Sequence, residues 1–190
     1  ANPGTPFTTP GHKRNPDLVD EFLALDVPHY LGVENRRVST RRLATAERLA
    51  GQLWGADWCG FSVQGSSHGN EAICLTIGKP GDTVIVPSYT FTSTALAFVR
   101  QGARVLFCDI EPSTLGLDTK HVADLLDDSV RAVIPVHYAG VACDMDGLNE
   151  ALADRPDVAV IEDNAHGLFG RWRGKPLGSL GRMASLSFHE

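Results

Sequence analysis

The sequence predicts an α/β protein: three layers, α/β/α, around a mainly parallel sheet. Three observations carry that expectation. Short apolar runs alternate with amphipathic segments of helical period along most of the chain. Runs such as Val84-Ile85-Val86 and Val158-Ala159-Val160-Ile161 have no polar face, as expected of strands covered on both sides. The chain has 190 residues, 43% of them hydrophobic, which is enough to bury a real core.

Residues 1–38 are rich in proline and charge with weak periodicity, and are expected to run extended; residues 39–190 form the main domain. Ser39 and Thr40 can cap a helix whose stripe Ala46, Leu49, Ala50 and Leu53 should pack on the sheet. Strands are expected at Phe61–Val63, Thr83–Val86, Arg104–Asp109, Ala132–Val136 and Val158–Glu162. Helices fall between them, near Gly69–Gly78, Thr92–Arg100, Thr119–Leu126 and Met145–Ala153. The glycine-punctuated aromatic and basic stretch from Phe169 to Gly178 suits a hairpin before a last strand, Met183–Phe188.

Composition narrows the function classes. The net charge is −6, and the basic cluster Arg36, Arg37, Arg41, Arg42 and Arg48 lies on a predicted helix and the turn before it, which argues against nucleic acid as a partner. Cys59, Cys74, Cys108 and Cys143 are far apart with no Cys-x-x-Cys pair, and read as buried free thiols of a cytoplasmic protein. No stretch is apolar for the length of a membrane span, and the first residues do not resemble a secretory signal.

Four short polar runs each sit at the end of a strand candidate: Gly65-Ser66-Ser67-His68-Gly69, Pro135-Val136-His137-Tyr138, Glu162-Asp163-Asn164-Ala165-His166 and Ser187-Phe188-His189. In a parallel sheet such runs converge at the carboxyl edge, where ligands bind. The first leads into a helix, and its small residues, hydroxyls and helix dipole suit a phosphate; an ordinary capped turn is the plainer alternative. Asp163, ending a very apolar strand, could sit beside a pyridine nitrogen and keep it protonated. Helix capping or metal binding with Glu162 and His166 are the alternatives, but Glu162 and Asp163 should point to opposite faces of a strand. His166 could donate to a ring oxygen, and Phe91 could stack on a planar ring or simply pack in the core. His137 and Tyr138 could reach the same crevice as substrate or cofactor contacts, although a lone histidine is often structural. Together the runs suit a pyridoxal 5'-phosphate site without metal.

Read in order, these residues resemble the fold-type I pyridoxal phosphate enzymes. From about Gly81 to Glu190, Pro-Ser-Tyr-Thr-Phe-Thr-Ser-Thr, Ile-Pro-Val-His-Tyr-Ala-Gly-Val, Ile-Glu-Asp-Asn-Ala-His-Gly and Ser-Leu-Ser-Phe-His-Glu are similar to the DegT/DnrJ/StrS sugar aminotransferases. From about Phe7 to Pro80, Phe-Thr-Thr-Pro-Gly-His-Lys and Phe-Ser-Val-Gln-Gly-Ser-Ser-His-Gly-Asn-Glu-Ala instead resemble the ornithine/lysine/arginine decarboxylases, so the chain reads as a hybrid. The resemblance implies the large domain of the pyridoxal phosphate-dependent transferase fold. It implies phosphate binding by Ser66, Ser67, the His68 amide and Ser187, ring stacking by Phe91, the pyridine nitrogen on Asp163, and His166 near the ring hydroxyl. It further implies an amino donor and a keto acceptor, with a nucleotide-linked keto sugar as acceptor, and a homodimer. Asn164 and His166 depart mildly from the usual family stretch. The family's Schiff-base lysine follows Ser-Phe-His, beyond Glu190, and Lys13, Lys79, Lys120 and Lys175 match none of its catalytic positions, so no catalytic residue is assigned and this stretch alone is expected to be inactive. A basic amino acid decarboxylase and a non-catalytic binding module are the competing expectations.

Overall fold

The structure, a computed structural model, describes residues 36–62 and 64–188, with side chains from residue 44 onward. It divides into two compact units, one holding residues 36–53 with 57–61 and the other residues 54–56 with 62–188. In the first unit, helix α1 (Arg36–Trp54) begins three residues before the expected start, so residues 36–38 are helical rather than extended. Most of the expected extended segment lies outside the described residues. Leu49 and Leu53 of the predicted stripe are 53% and 62% exposed. No strand forms at Phe61 and Ser62, and Val63 lies outside the described residues.

The second unit holds the sheet. Helix α2 (Gly65–Ile77) precedes β1 (Thr83–Pro87), α3 (Thr92–Arg100), β2 (Arg104–Cys108), α4 (Thr119–Leu125) and β3 (Val130–Val133). Then come α5 (Met145–Ala151), β4 (Ala159–Asn164), the short pair β5 (Arg171–Trp172) and β6 (Lys175–Pro176), and β7 (Met183–Leu186). Five strands pair in the order β2-β1-β3-β4-β7, every pair parallel. The aromatic and basic stretch is the antiparallel hairpin β5–β6, turned by Arg173 and Gly174 at φ 46° and 83°, as a two-residue primed turn requires.

Alternation along the strands sorts the core into two faces. Ile85, Val130, Val133 and Val158 join Val122 of α4 and Met145 and Leu148 of α5 on one side. Val84, Val86, Ala132, Ala159 and Ile161 join Cys74 of α2 and Ala97 and Phe98 of α3 on the other. Helices therefore cover both faces of the sheet, the three layers expected. Each fully buried Ile, Val or Leu in these clusters contributes roughly 1.5–3 kcal/mol by leaving water, which explains the continuous apolar strand runs. Cys74, Cys108 and Cys143 are buried, and Cys59 is only half-buried. Among the described residues no helix is long and apolar enough to cross a membrane.

Candidate active site at the carboxyl edge of the sheet

The same alternation decides what the acidic pair at the end of β4 does. Asp163 continues the Ala159 and Ile161 series toward α2 and α3, and Glu162 continues the Val158 and Val160 series toward the opposite face.

Asp163 is 5% exposed and lines a cavity of about 560 Å³. Its Oδ2 accepts from Asn70 Nδ2 at 3.1 Å and from Thr94 Oγ1 at 2.7 Å, while Oδ1 accepts from the Ala165 amide at 3.3 Å. Asn70 comes from α2, Thr94 from α3, and both are buried. Ser185, the neighbour of Asp163 in the β4–β7 register, donates to Asn70 Oδ1, so Asn70 clamps the two strands from above. Gly69 permits this approach: a Cβ there would lie 3.2 Å from that of Ser185. Sequence reasoning missed Asn70, Thr94 and Ser185. The carboxylate is thus held from two helices, and Oδ1, with one long bond, has lone-pair capacity for a further donor.

The cavity also draws its lining from Gly65, Ser66, Ser67, Phe91, Tyr138, His166 and Ser187, so one space gathers most of the predicted site residues. The Gly65–Ser67 run, expected to lead into a helix beginning near Gly69, is itself the first turn of α2. Gln64, at the helix N-cap, makes no side-chain capping bond, and no acidic residue occupies the first turn. Its leading amides and positive dipole end are thus open to an anion, with the Ser66 and Ser67 hydroxyls beside them. Phe91 is 72% exposed, which removes the core-packing alternative. His68 does not line the cavity; its ring is exposed and its Nδ1 bonds Ser62 Oγ at 2.7 Å.

His137 does not face the crevice, contrary to the reading that allowed it a substrate or cofactor contact. It is fully buried: Nε2 lies 2.9 Å from Glu162 Oε2 and Nδ1 accepts from the Cys143 amide. Glu162, also fully buried, accepts besides from the amides of Gly178, Leu180 and Gly181 at 2.6–2.7 Å. Burial pushes the Glu162 pKa up, but His137 and the Gly181 and Gly178 amides outweigh it and hold the carboxyl below its ordinary range. Burial is the largest influence on His137 and opposes charge on its ring. The donating Cys143 amide needs a lone pair on Nδ1, so we assign a neutral ring donating from Nε2 to ionised Glu162. Glu162 and His137 therefore brace the turn before β7, on the face opposite Asp163. Among the described residues no cluster of His, Cys, Asp and Glu could hold a metal.

An open parallel sheet with an anion-ready helix start, an exposed aromatic ring and a buried, tethered aspartate around one cavity suits a phosphorylated planar ligand. The chain belongs to the DegT/DnrJ/EryC1/StrS aminotransferase family, whose model matches residues 59–190. That match includes residues 59–80, part of the stretch expected to be decarboxylase-like. The chain is 38% identical over 138 residues to GDP-perosamine synthase of Caulobacter vibrioides, covering 70% of this chain and 37% of that protein. Crystalline 3-amino-5-hydroxybenzoic acid synthase superposes with a TM-score of 0.73 at 34% identity, over 80% of this chain and 40% of its own. E. coli GDP-4-keto-6-deoxy-D-mannose-3-dehydratase, solved with bound hydrated pyridoxal phosphate, shares the fold at a TM-score of 0.69 and 23% identity, over 80% and 42% of the two chains. The chain spans about a third of the length of the curated relatives it matches. Pyridoxal phosphate is bound in solved neighbours that share the fold, and the residues lining the cavity fit it: anion donors at one wall, an aromatic face, and a carboxylate with acceptor capacity.

Proposed function

We propose that this chain forms the cofactor-binding part of a pyridoxal phosphate-dependent aminotransferase acting on a nucleotide-linked keto sugar. The observation that carries the reading is Asp163, fastened by Asn70 and Thr94 in the same cavity wall system as the α2 start. Bound there, the cofactor supplies a protonated pyridine ring that withdraws electrons from the substrate's alpha carbon. Asp163 holds the proton at the ring nitrogen. Ser66, Ser67 and Ser187 bind the phosphate, Phe91 limits the tilt of the ring, His166 donates to the ring oxygen, and Tyr138 is a further contact. None of the residues lining the cavity is a lysine, and Lys79, Lys120 and Lys175 are all exposed; the anchoring lysine comes from elsewhere in the enzyme.

An amino donor and a keto acceptor are the substrates, giving an amino sugar and a 2-oxo acid. Likeness to GDP-perosamine synthase supports the sugar acceptor, the buried thiols support a cytoplasmic setting, and family membership supports a homodimer. The decarboxylase likeness of the first residues is kept as a proposal for that segment, outside the chemistry.

Calorimetric titration with pyridoxal phosphate tests the reading. The protein should bind it, and Asp163→Asn should weaken binding about 10–100-fold, the worth of one hydrogen bond to a charged group. Absence of binding by both pyridoxal and pyridoxamine phosphate would favour a scaffold. Carbon dioxide release from a basic amino acid, without amino transfer to a keto sugar, would favour a decarboxylase.

A further inference from the structure

Three features of one short turn bear on His166. The segment Tyr138–Gly140 is a single 3-10 turn in which Ala139 adopts φ 51°, a left-handed conformation that a residue with a Cβ rarely takes. In that conformation the Ala139 amide donates to His166 Nδ1 at 3.3 Å. The Tyr138 ring meets the imidazole edge-on, centroids 5.4 Å apart at 69°, and the Tyr89 phenol donates to the Tyr138 hydroxyl at 3.0 Å. Gly140, at φ 78°, lies so close that a Cβ there would stand 3.3 Å from the His166 carbonyl oxygen. Backbone, ring and close approach thus bear together on one exposed histidine at the cavity wall.

We propose that the Tyr138–Gly140 turn is a positioning element that selects the tautomer of His166. A neutral imidazole that accepts an N–H at Nδ1 carries its proton on Nε2. The turn therefore delivers an N–H donor, not a lone pair, from the outer nitrogen of His166, while Tyr89 and Tyr138 fix the plane of the ring. A donor there favours an anionic oxygen on the group it faces, so the turn sets the charge state that the cavity accepts at that point. This step rests on the proposed pyridoxal phosphate reading only for the identity of that oxygen.

The test is nitrogen NMR of the His166 ring in the ligand-free protein, at a pH above the ordinary histidine range. The wild-type protein should show the Nε2–H tautomer alone. Gly140→Ala, which pushes the turn away from the His166 carbonyl, should give a tautomer mixture; Tyr138→Ala, which strips the ring edge, is the second variant should the first fail to fold. A wild-type ring protonated on Nδ1, or an unchanged tautomer in a folded variant, would overturn the proposal. A merely structural turn would shift the thermal midpoint without moving the tautomer. Adding pyridoxal phosphate separates the two readings: a spectral difference between bound wild type and Gly140→Ala is expected, whereas absent binding refutes the cofactor reading and leaves the ligand-free tautomer to decide this one.

Discussion

Replacing Glu162 by glutamine changes one oxygen to an amide nitrogen at a fully buried site that receives four N–H donors. Either orientation of the new side chain turns its NH₂ toward two of them, the Leu180 and Gly181 amides or the Gly178 amide and His137 Nε2. Two hydrogen bonds to a charged acceptor are lost, each worth about 1.5–3 kcal/mol, and donors are left facing a donor in the interior. Some relaxation of the half-buried turn reduces the sum, so the expected loss is about 3–5 kcal/mol. Urea unfolding measures it: at a slope of about 2 kcal/mol/M the midpoint should fall by about 2 M with the slope unchanged. A loss below about 1 kcal/mol would refute the assignment of Glu162 as an ionised brace. Asp163→Asn makes the contrast, because its new carbonyl can still accept from Asn70 and Thr94; it should cost about 1 kcal/mol of stability while impairing cofactor binding.

Two further outcomes follow from the same contacts. Because the folded pKa of Glu162 is depressed, its contribution is complete above the ordinary glutamate value of about 4.3 and disappears as pH falls through the lower folded value. The stability difference between wild type and Glu162→Gln should therefore shrink on acidification below about pH 4, read from urea midpoints across pH. Borohydride reduction with pyridoxal phosphate should leave no cofactor on Lys79, Lys120 or Lys175, none of which lines the cavity; a peptide modified at one of them would contradict the site as assigned.

What was legible beforehand follows from physics that neighbours in sequence express. Strand runs such as Val84-Ile85-Val86 announce burial on both faces, and Asp163 stands out because it terminates such a run. Alternation alone separated Glu162 from Asp163. The partners were hidden for different reasons. Asn70, Thr94 and Ser185 look like ordinary polar residues of two helices and a strand until the fold brings them together. The partners of Glu162 are backbone amides, which any residue carries, so no side-chain pattern marks them. His137 was ambiguous because it follows a strand at the binding edge, and only the Cys143 amide and Glu162 reveal that it turns inward.

Back-to-back carboxylates on β4 also make the strand's alignment all-or-none. A slip of one residue against β3 or β7 would present Glu162 to Asn70 and Thr94 and deny the 178–181 turn its acceptor, failing on both faces at once. The sheet cannot trade a little misalignment for a little function. Whatever tightens the turn before β7 also guards the depth at which Asp163 lines the cavity.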